Sequence, residues 1–226
     1  MSGRDAILAG LRASLGRDGA AAAAAQTAVD ERLARRGTTI RPARGDNDRG
    51  RVKRFIAEAE RASANVVRLK SMDEVPAAVA TWLRLANLPA RLKRAADPLL
   101  DALGWDDTAL EVQRGVAVDA DSAGLSVASA AVAETGTLAL ASGPTRPTTL
   151  NFLPETHFVV VPEGHVVGAY EDVLASVRDE MPATLNFITG PSRSGDIEQT
   201  IQLGAHGPRR LVILMVAADG EASEAT

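Results

Sequence analysis

Three glycine-bearing polar turns hold most of the side chains in this 226-residue chain that are suited to chemistry. They are Glu134-Thr-Gly-Thr137, Gly190-Pro-Ser-Arg-Ser-Gly-Asp196 and Gly204-Ala-His-Gly-Pro208. Glu134 places a carboxylate beside a glycine turn, where it can act as a general base or accept hydrogen bonds from the turn's own N–H groups. Thr135 and Thr137 either present hydroxyls to a ligand or stiffen a strand. Gly136 marks a bulge, a tight bend or a close approach of ligand to backbone. In the second turn Gly190 ends a strand and Arg193 supplies a planar donor fork. Ser192, Ser194 and the amides from residue 195 onward would complete a carboxylate or phosphate site. Asp196 opposes this, because its charge competes for both the arginine and the helix start that follows. His206, held between glycines, can serve as acid or base. His157, at the start of an apolar strand, and His165, in a turn, read as structural.

The elements around these turns set the fold class. Leu185 to Ile188 is an apolar run with the length of a buried strand, and Asp196 with Gln199 resembles a capping box that opens a short helix through Thr200. Strand, polar turn, helix start: in an open α/β sheet this places free N–H groups and a positive helix end at the carboxyl edge, where an anion is stabilised. An ordinary βα turn capped by Ser and Asp has the same pattern.

Earlier in the chain, residues 4–16 read as a helix with Ile7, Leu8, Leu11 and Leu15 on one side, and the alanine run Ala20–Ala25 as part of a loosely attached helix reaching Arg36. Residues 37–48 carry linker chemistry. Val52, Phe55, Ile56 and Ala59 share a helix face, Asn65–Leu69 is a strand, and Ser71 to Glu74 resembles a capping box before a helix carrying Val75, Val79, Trp82 and Ala86. Strands are expected at Ala90–Lys93, Val116–Val118, Leu125–Ala130, His157–Val161, Val166–Val167 and Arg210–Ala217, with a helix face at Tyr170, Val173, Leu174 and Val177. The βαβ rhythm predicts an α/β fold with parallel strands and crossover helices, divided into a helical arm and linker (1–48), one α/β domain (49–217) and a disordered polar tail (218–226).

Composition narrows the function. The aromatic fraction is 3%, so the core must be aliphatic, with Trp82, Trp105 and Phe55 as core or rim anchors. No apolar run is long enough to span a membrane, and the N-terminus lacks an apolar signal region, so a cytoplasmic protein is expected. There is no cysteine, which excludes thiol catalysis, disulfides, and zinc or iron–sulfur clusters held by thiolates of this chain. The histidines have no metal-ligand spacing. Residues 1–70 hold 15 basic and 8 acidic side chains, a net of +7, against −11 for the remainder. The arginines alternate with acids and lack an aromatic stacking set, so a solvated helix or a docking arm, including one that builds a homo-oligomer, explains them better than nucleic-acid binding.

Taken in order, Ala133-Glu-Thr-Gly-Thr137, Leu150-Asn-Phe-Leu-Pro-Glu-Thr-His-Phe-Val-Val-Val161, Gly190-Pro-Ser-Arg-Ser-Gly-Asp-Ile-Glu198 and Leu203-Gly-Ala-His-Gly-Pro-Arg209 resemble the LUD-domain proteins, most closely the lactate-utilisation protein C branch. The resemblance covers roughly residues 50–217. Position 195 is Gly and 194 Ser, where the family pattern would have alanine after threonine. It implies an open Rossmann-like sheet similar to the NagB/RpiA/CoA-transferase group. It also implies a part in oxidising L-lactate to pyruvate alongside two iron–sulfur partner proteins. By analogy with CoA-transferases of that fold, Glu134 could be a nucleophile. The resemblance identifies no cofactor, and without cysteine any clusters belong to the partners.

The combined expectation is that the Glu134 turn and the 190–198 turn face each other across the carboxyl edge of the sheet. With His206 they would form one pocket for a small anionic ligand. The alternatives are a non-catalytic assembly subunit acting through the basic arm, and a stand-alone transferase or cyclo-ligase-like enzyme using Glu134 or a bound nucleotide.

Overall fold

The computed structural model describes residues 3–16, 19–34, 50–194 and 202–218. Its internal contacts divide the chain into Met1–Pro42 and Ala43–Thr226. The first unit contains α1 (Gly3–Ser14) and α2 (Gly19–Ala34). Ile7, Leu11 and Leu15 keep more than half of their surface in solvent. The expected helix through Asp196–Thr200 and the 218–226 tail lie almost wholly outside the described residues.

The second unit opens with α3 (Arg51–Arg61), whose apolar stripe buries Phe55 and Ala59. Then come β1 (Asn65–Leu69), α4 (Val75–Leu85), β2 (Arg91–Arg94), the short α5 (Pro98–Asp101) and β3 (Glu111–Arg114). β4 (Ala123–Val127), β5 (Ala130–Val132), β6 (Thr137–Ala141), β7 (Thr156–Pro162) and β8 (Val166–Val167) follow. The chain continues with α6 (Tyr170–Ser176), β9 (Leu185–Ile188), β10 (Arg193–Ser194), β11 (Gln202–Leu203) and β12 (Arg210–Val216).

Six strands form the main sheet in the order β1-β12-β7-β4-β2-β3, every pair parallel, so the α/β expectation holds. Alternation along the two central strands feeds two cores, because successive side chains point to opposite faces. Phe158 and Val160 of β7, with Val212 and Leu214 of β12, meet Val75, Val79 and Leu83 of α4. Trp82 stacks edge-on to Phe158, ring centroids 5.2 Å apart. On the other face Val159, Val161, Leu211, Ile213 and Met215 meet Phe55 and Ala59 of α3 together with Ala131, Leu138 and Leu140. Each of the larger fully buried side chains contributes about 1.5–3 kcal/mol of apolar transfer.

Those last three residues belong to a second sheet, β8-β5-β6-β9, which lies over the main one. Its outer face packs Ala130, Val132 and Ala139 on Val173 of α6.

Four local expectations are corrected. The stretch expected as one strand over Leu125–Ala130 is two: β4 ends at Val127, and the chain crosses at Ala128 and Ser129 into the smaller sheet. Val116–Val118 is not a strand; Val116 and Val118 are 60% and 54% exposed. The edge strand is the preceding Glu111-Val-Gln-Arg114, whose polar sequence hid it and suits an unprotected sheet edge. Ser71 caps nothing with its side chain; instead Glu74 accepts a hydrogen bond from the Lys70 N–H at 2.8 Å. Finally, Leu185–Ile188 does not enter the parallel sheet. It is the half-exposed edge of the smaller sheet, antiparallel to β6, and leads into the β10–β11 ladder.

Candidate functional site

The Glu134 turn closes the β5–β6 hairpin, which is built by antiparallel pairing of Ala130–Val132 with Thr137–Ala139. Gly136 has φ +66°, and a Cβ there would lie 2.2 Å from the Ala59 nitrogen. Only glycine permits that contact with α3. The turn's hydroxyls are satisfied by one another. Thr137, fully buried, shares its Oγ1 with Thr135 (2.7 Å), Tyr170 (2.8 Å) and Thr189 (2.6 Å). The Glu134 N–H donates to the Gly168 carbonyl at 3.1 Å. Its half-buried carboxylate has no hydrogen-bond or ion-pair partner among the described residues.

The second turn rests on the same helix. Gly190 has φ +74°, and a Cβ there would come within 2.1 Å of the Ala62 oxygen. That carbonyl also accepts a 2.7 Å hydrogen bond from Arg193 Nη2, at the helix end where cations are favoured. So Gly136 and Gly190 both seat on the last turns of α3, and Thr137 and Thr189 join the two turns.

The third turn folds onto the second. The Ser192 N–H donates to the Pro208 carbonyl at 2.9 Å, and the Gly204 N–H donates to the Ser192 carbonyl at 3.0 Å. Between them opens a cavity of about 250 Å³. Ser192, Thr189 and the exposed His206 form one wall; Phe152 and Phe187 are apolar lining. Asn151 and His157, both buried, line it as well. His157 and Leu211 are the second residues of β7 and β12, so the cavity stands at the amino-terminal edge of the main sheet. The carboxyl-edge expectation is thereby overturned, because β9 pairs with β6 instead of entering the parallel sheet.

Of the candidates read from sequence, Gly190, Ser192 and His206 come together around this cavity. Thr137 reaches it through the hydroxyl of Thr189. Glu134, Thr135, Gly136, Arg193 and Ser194 are outside its lining, and Asp196 is outside the described residues. The His165 Nδ1–H donates to the Ala128 carbonyl at 3.1 Å.

His157, read from the sequence as structural, is also among the residues lining the cavity. Its ring is fully buried, Nε2 lies 2.7 Å from Ser126 Oγ, and Nδ1 has no hydrogen-bond partner among the described residues. Burial lowers its pKa from 6.5 to about 3, which keeps the imidazole neutral at physiological pH. The available signal was a histidine opening an otherwise apolar strand, His157-Phe-Val-Val-Val161.

The family model of the LUD domain matches residues 52–216. The chain belongs to the LUD-domain family. A DUF162-family protein from Deinococcus radiodurans has the same fold, with a TM-score of 0.59 at 23% identity over 76% of this chain and 99% of that one. A lactate utilization protein C from Exiguobacterium is 36% identical over 118 residues, 50% of this chain and 51% of its own. That from Geobacillus thermodenitrificans is 33% identical over 106 residues, 44% of each. An uncharacterized protein of Neisseria meningitidis serogroup B is 39% identical over 100 residues, 43% of each. The matched part of this LUD-domain chain thus spans about half the length of these curated relatives. Among the described residues no helix is long and apolar enough to cross a membrane.

Proposed function

We propose that this chain acts in lactate utilisation and that its cavity binds a small carboxylic acid. The observation that carries the reading is the cavity itself. It gathers Ser192, His206 and two buried polar side chains beside apolar walls, on the segments that carry the family resemblance. A space of about 250 Å³ admits an acid of a few heavy atoms. At the exposed end Ser192 and His206 meet the carboxylate; the buried end accepts the uncharged part.

Oxidation of L-lactate to pyruvate removes two electrons and two protons. A chain without cysteine holds no thiolate-ligated cluster, so the electrons leave through clusters of two iron–sulfur partner proteins. Glu134 lies outside the cavity lining but next in chain to Thr135 of the hydroxyl network that ends at Thr189, and its carboxylate has no partner among the described residues, which makes it the candidate base.

The test is to purify the chain with its iron–sulfur partners and measure lactate oxidation with and without it, alongside calorimetric titration of the isolated chain with L-lactate and pyruvate. Binding that is lost in His206→Ala and Ser192→Val supports the reading. Normal oxidation without the chain, or no binding of either acid, defeats it.

A second reading, an assembly subunit, is favoured by the exposed Ile7, Leu11 and Leu15 along α1. Removing residues 1–48 should then abolish complex formation while the cavity variants leave oxidation intact.

A further inference from the structure

Most of the deeper polar side chains around the cavity are already committed. Thr189 shares its hydroxyl with Thr137 at 2.6 Å, and His157 is fully buried with its free nitrogen sealed from the surface. Asn151 differs. It lines the cavity, is 5% exposed, and its side chain makes no hydrogen bond to any described residue. Its amide atoms are not sealed in the interior as His157 Nδ1 is, so they open onto the space that the residue lines. A carboxamide more than nine-tenths buried and without a protein partner is satisfied only by what occupies the cavity.

The backbone on either side holds this amide in place. Asn151 ends the single 3₁₀ turn Thr148–Asn151. Before it, Leu150 is fully buried in the core that α4 covers, and its carbonyl would lie 3.1 Å from a Cβ at Gly124 of β4. After it, the N–H groups of Phe152 and Leu153 both donate to the Thr149 carbonyl, at 3.2 Å and 2.9 Å. The Thr149 hydroxyl accepts from the Ala117 N–H at 3.1 Å. The side chain is therefore presented by a pinned turn, and it needs no hydrogen bond of its own to be aimed.

A carboxamide donates through Nδ2 and accepts through Oδ1, and it carries no charge. It offers a carboxylate less than the exposed end does, but it fits a neutral oxygen on the neighbouring carbon. A hydroxyl there donates to Oδ1 or accepts from Nδ2, and a keto oxygen accepts from Nδ2. One side chain thus serves both the reduced and the oxidised acid of a two-electron couple. A methylene in the same place would leave the amide unpaired. Resting on the small-acid reading of the cavity given above, we infer that Asn151 is a specificity-determining residue whose amide hydrogen-bonds the C2 oxygen of the acid. The cavity therefore selects 2-hydroxy and 2-oxo acids over acids with no oxygen at C2.

Two measurements on the full chain test this. Calorimetry compares L-lactate, pyruvate and propionate at pH 8; the first two are expected to bind about tenfold tighter than propionate, the difference of one well-made hydrogen bond. Asn151→Leu should bring the three acids level. Asn151→Asp keeps an acceptor of the same size and gives up both donors, so pyruvate, which only accepts, should lose about tenfold more affinity than L-lactate, which still donates. With asparagine labelled in nitrogen-15, the side-chain amide pair that disappears in Asn151→Asp is assigned, and that pair should shift as L-lactate or pyruvate is added. A preference over propionate that persists in Asn151→Leu, equal losses of both acids in Asn151→Asp, or an amide pair unmoved by saturating L-lactate overturns the inference. Equal binding of all three acids by the unaltered chain overturns it alone. Binding of none of them overturns it together with the small-acid reading.

Discussion

The Glu134–Thr137 turn and the cavity wall built by residues 189–192 and 206–208 are both rich in polar side chains and glycine, yet they spend their polar groups in opposite ways. In the turn, Thr135, Thr137, Tyr170 and Thr189 bond one another, and Gly136 is wedged on the backbone of α3. At the cavity His206 faces solvent beside Ser192, while the buried His157 Nδ1 has no hydrogen-bond partner among the described residues. A satisfied network stabilises and rigidifies; a group left unsatisfied against an open space is where a ligand gains free energy. The difference separates scaffold from site more cleanly than motif content does.

The largest effect that would break this comparison comes from Gly136→Val or Gly190→Val. Each adds a Cβ within 2.2 Å of α3 backbone at positive φ, so a loss of at least about 4 kcal/mol or failure to fold is expected in urea melts. Near-native stability would show that the turns are not seated on the helix.

Next is the acid response of the cavity floor. The folded pKa of His157 is depressed to about 3, so the unfolded chain binds a proton below pH 6.5 that the native state refuses. The stability due to this group is fully present above pH 6.5 and is lost as pH falls toward 3, about 2 kcal/mol of it by pH 5. Denaturant titrations between pH 7 and pH 5 should show wild type losing that much more stability than His157→Leu; equal losses would place the imidazole in water.

Thr137→Val removes the hydroxyl at the centre of the network and should cost about 1–3 kcal/mol. Acid binding, by contrast, should weaken only through Thr189. A binding loss larger than the stability loss would move the turn into the site.

The smallest effect expected is for Glu134→Gln, within about 0.5 kcal/mol in stability and without change in cavity affinity, since its carboxylate has no partner among the described residues and lies outside the cavity lining. Loss of lactate oxidation in this variant while binding persists would sharpen Glu134 into the base of the reaction; intact oxidation would remove it from that role.

Much of the fold was legible before any coordinates. The apolar runs at Asn65–Leu69, Thr156–Pro162 and Arg210–Val216 are strands, and the 3.6-residue stripes of α3 and α4 are helices, because burial on one face or two writes itself into local pattern. Gly136 and Gly190 stood out as positions that needed glycine, though the atoms pressing on them, Ala59 and Ala62, were unknowable. The cavity was less legible: of its lining residues Gly190, Ser192 and His206 were named as candidates, His157 was read as structural, and Asn151 and Thr189 carried no local signal.

What the sequence determined alone was the class of the fold, an aliphatic parallel α/β domain without thiol chemistry, and the three turns where backbone must bend. Tertiary structure alone decided that β9 joins the antiparallel sheet, that the cavity therefore opens at the amino edge, and that a histidine on β7 meets a serine on β4. The physical reason is range. Periodicity and turn propensity are local properties of a few neighbouring residues. Which strand pairs with which, and in what register, is settled by burying whole faces contributed from up to about 150 positions apart, and no local pattern carries that information.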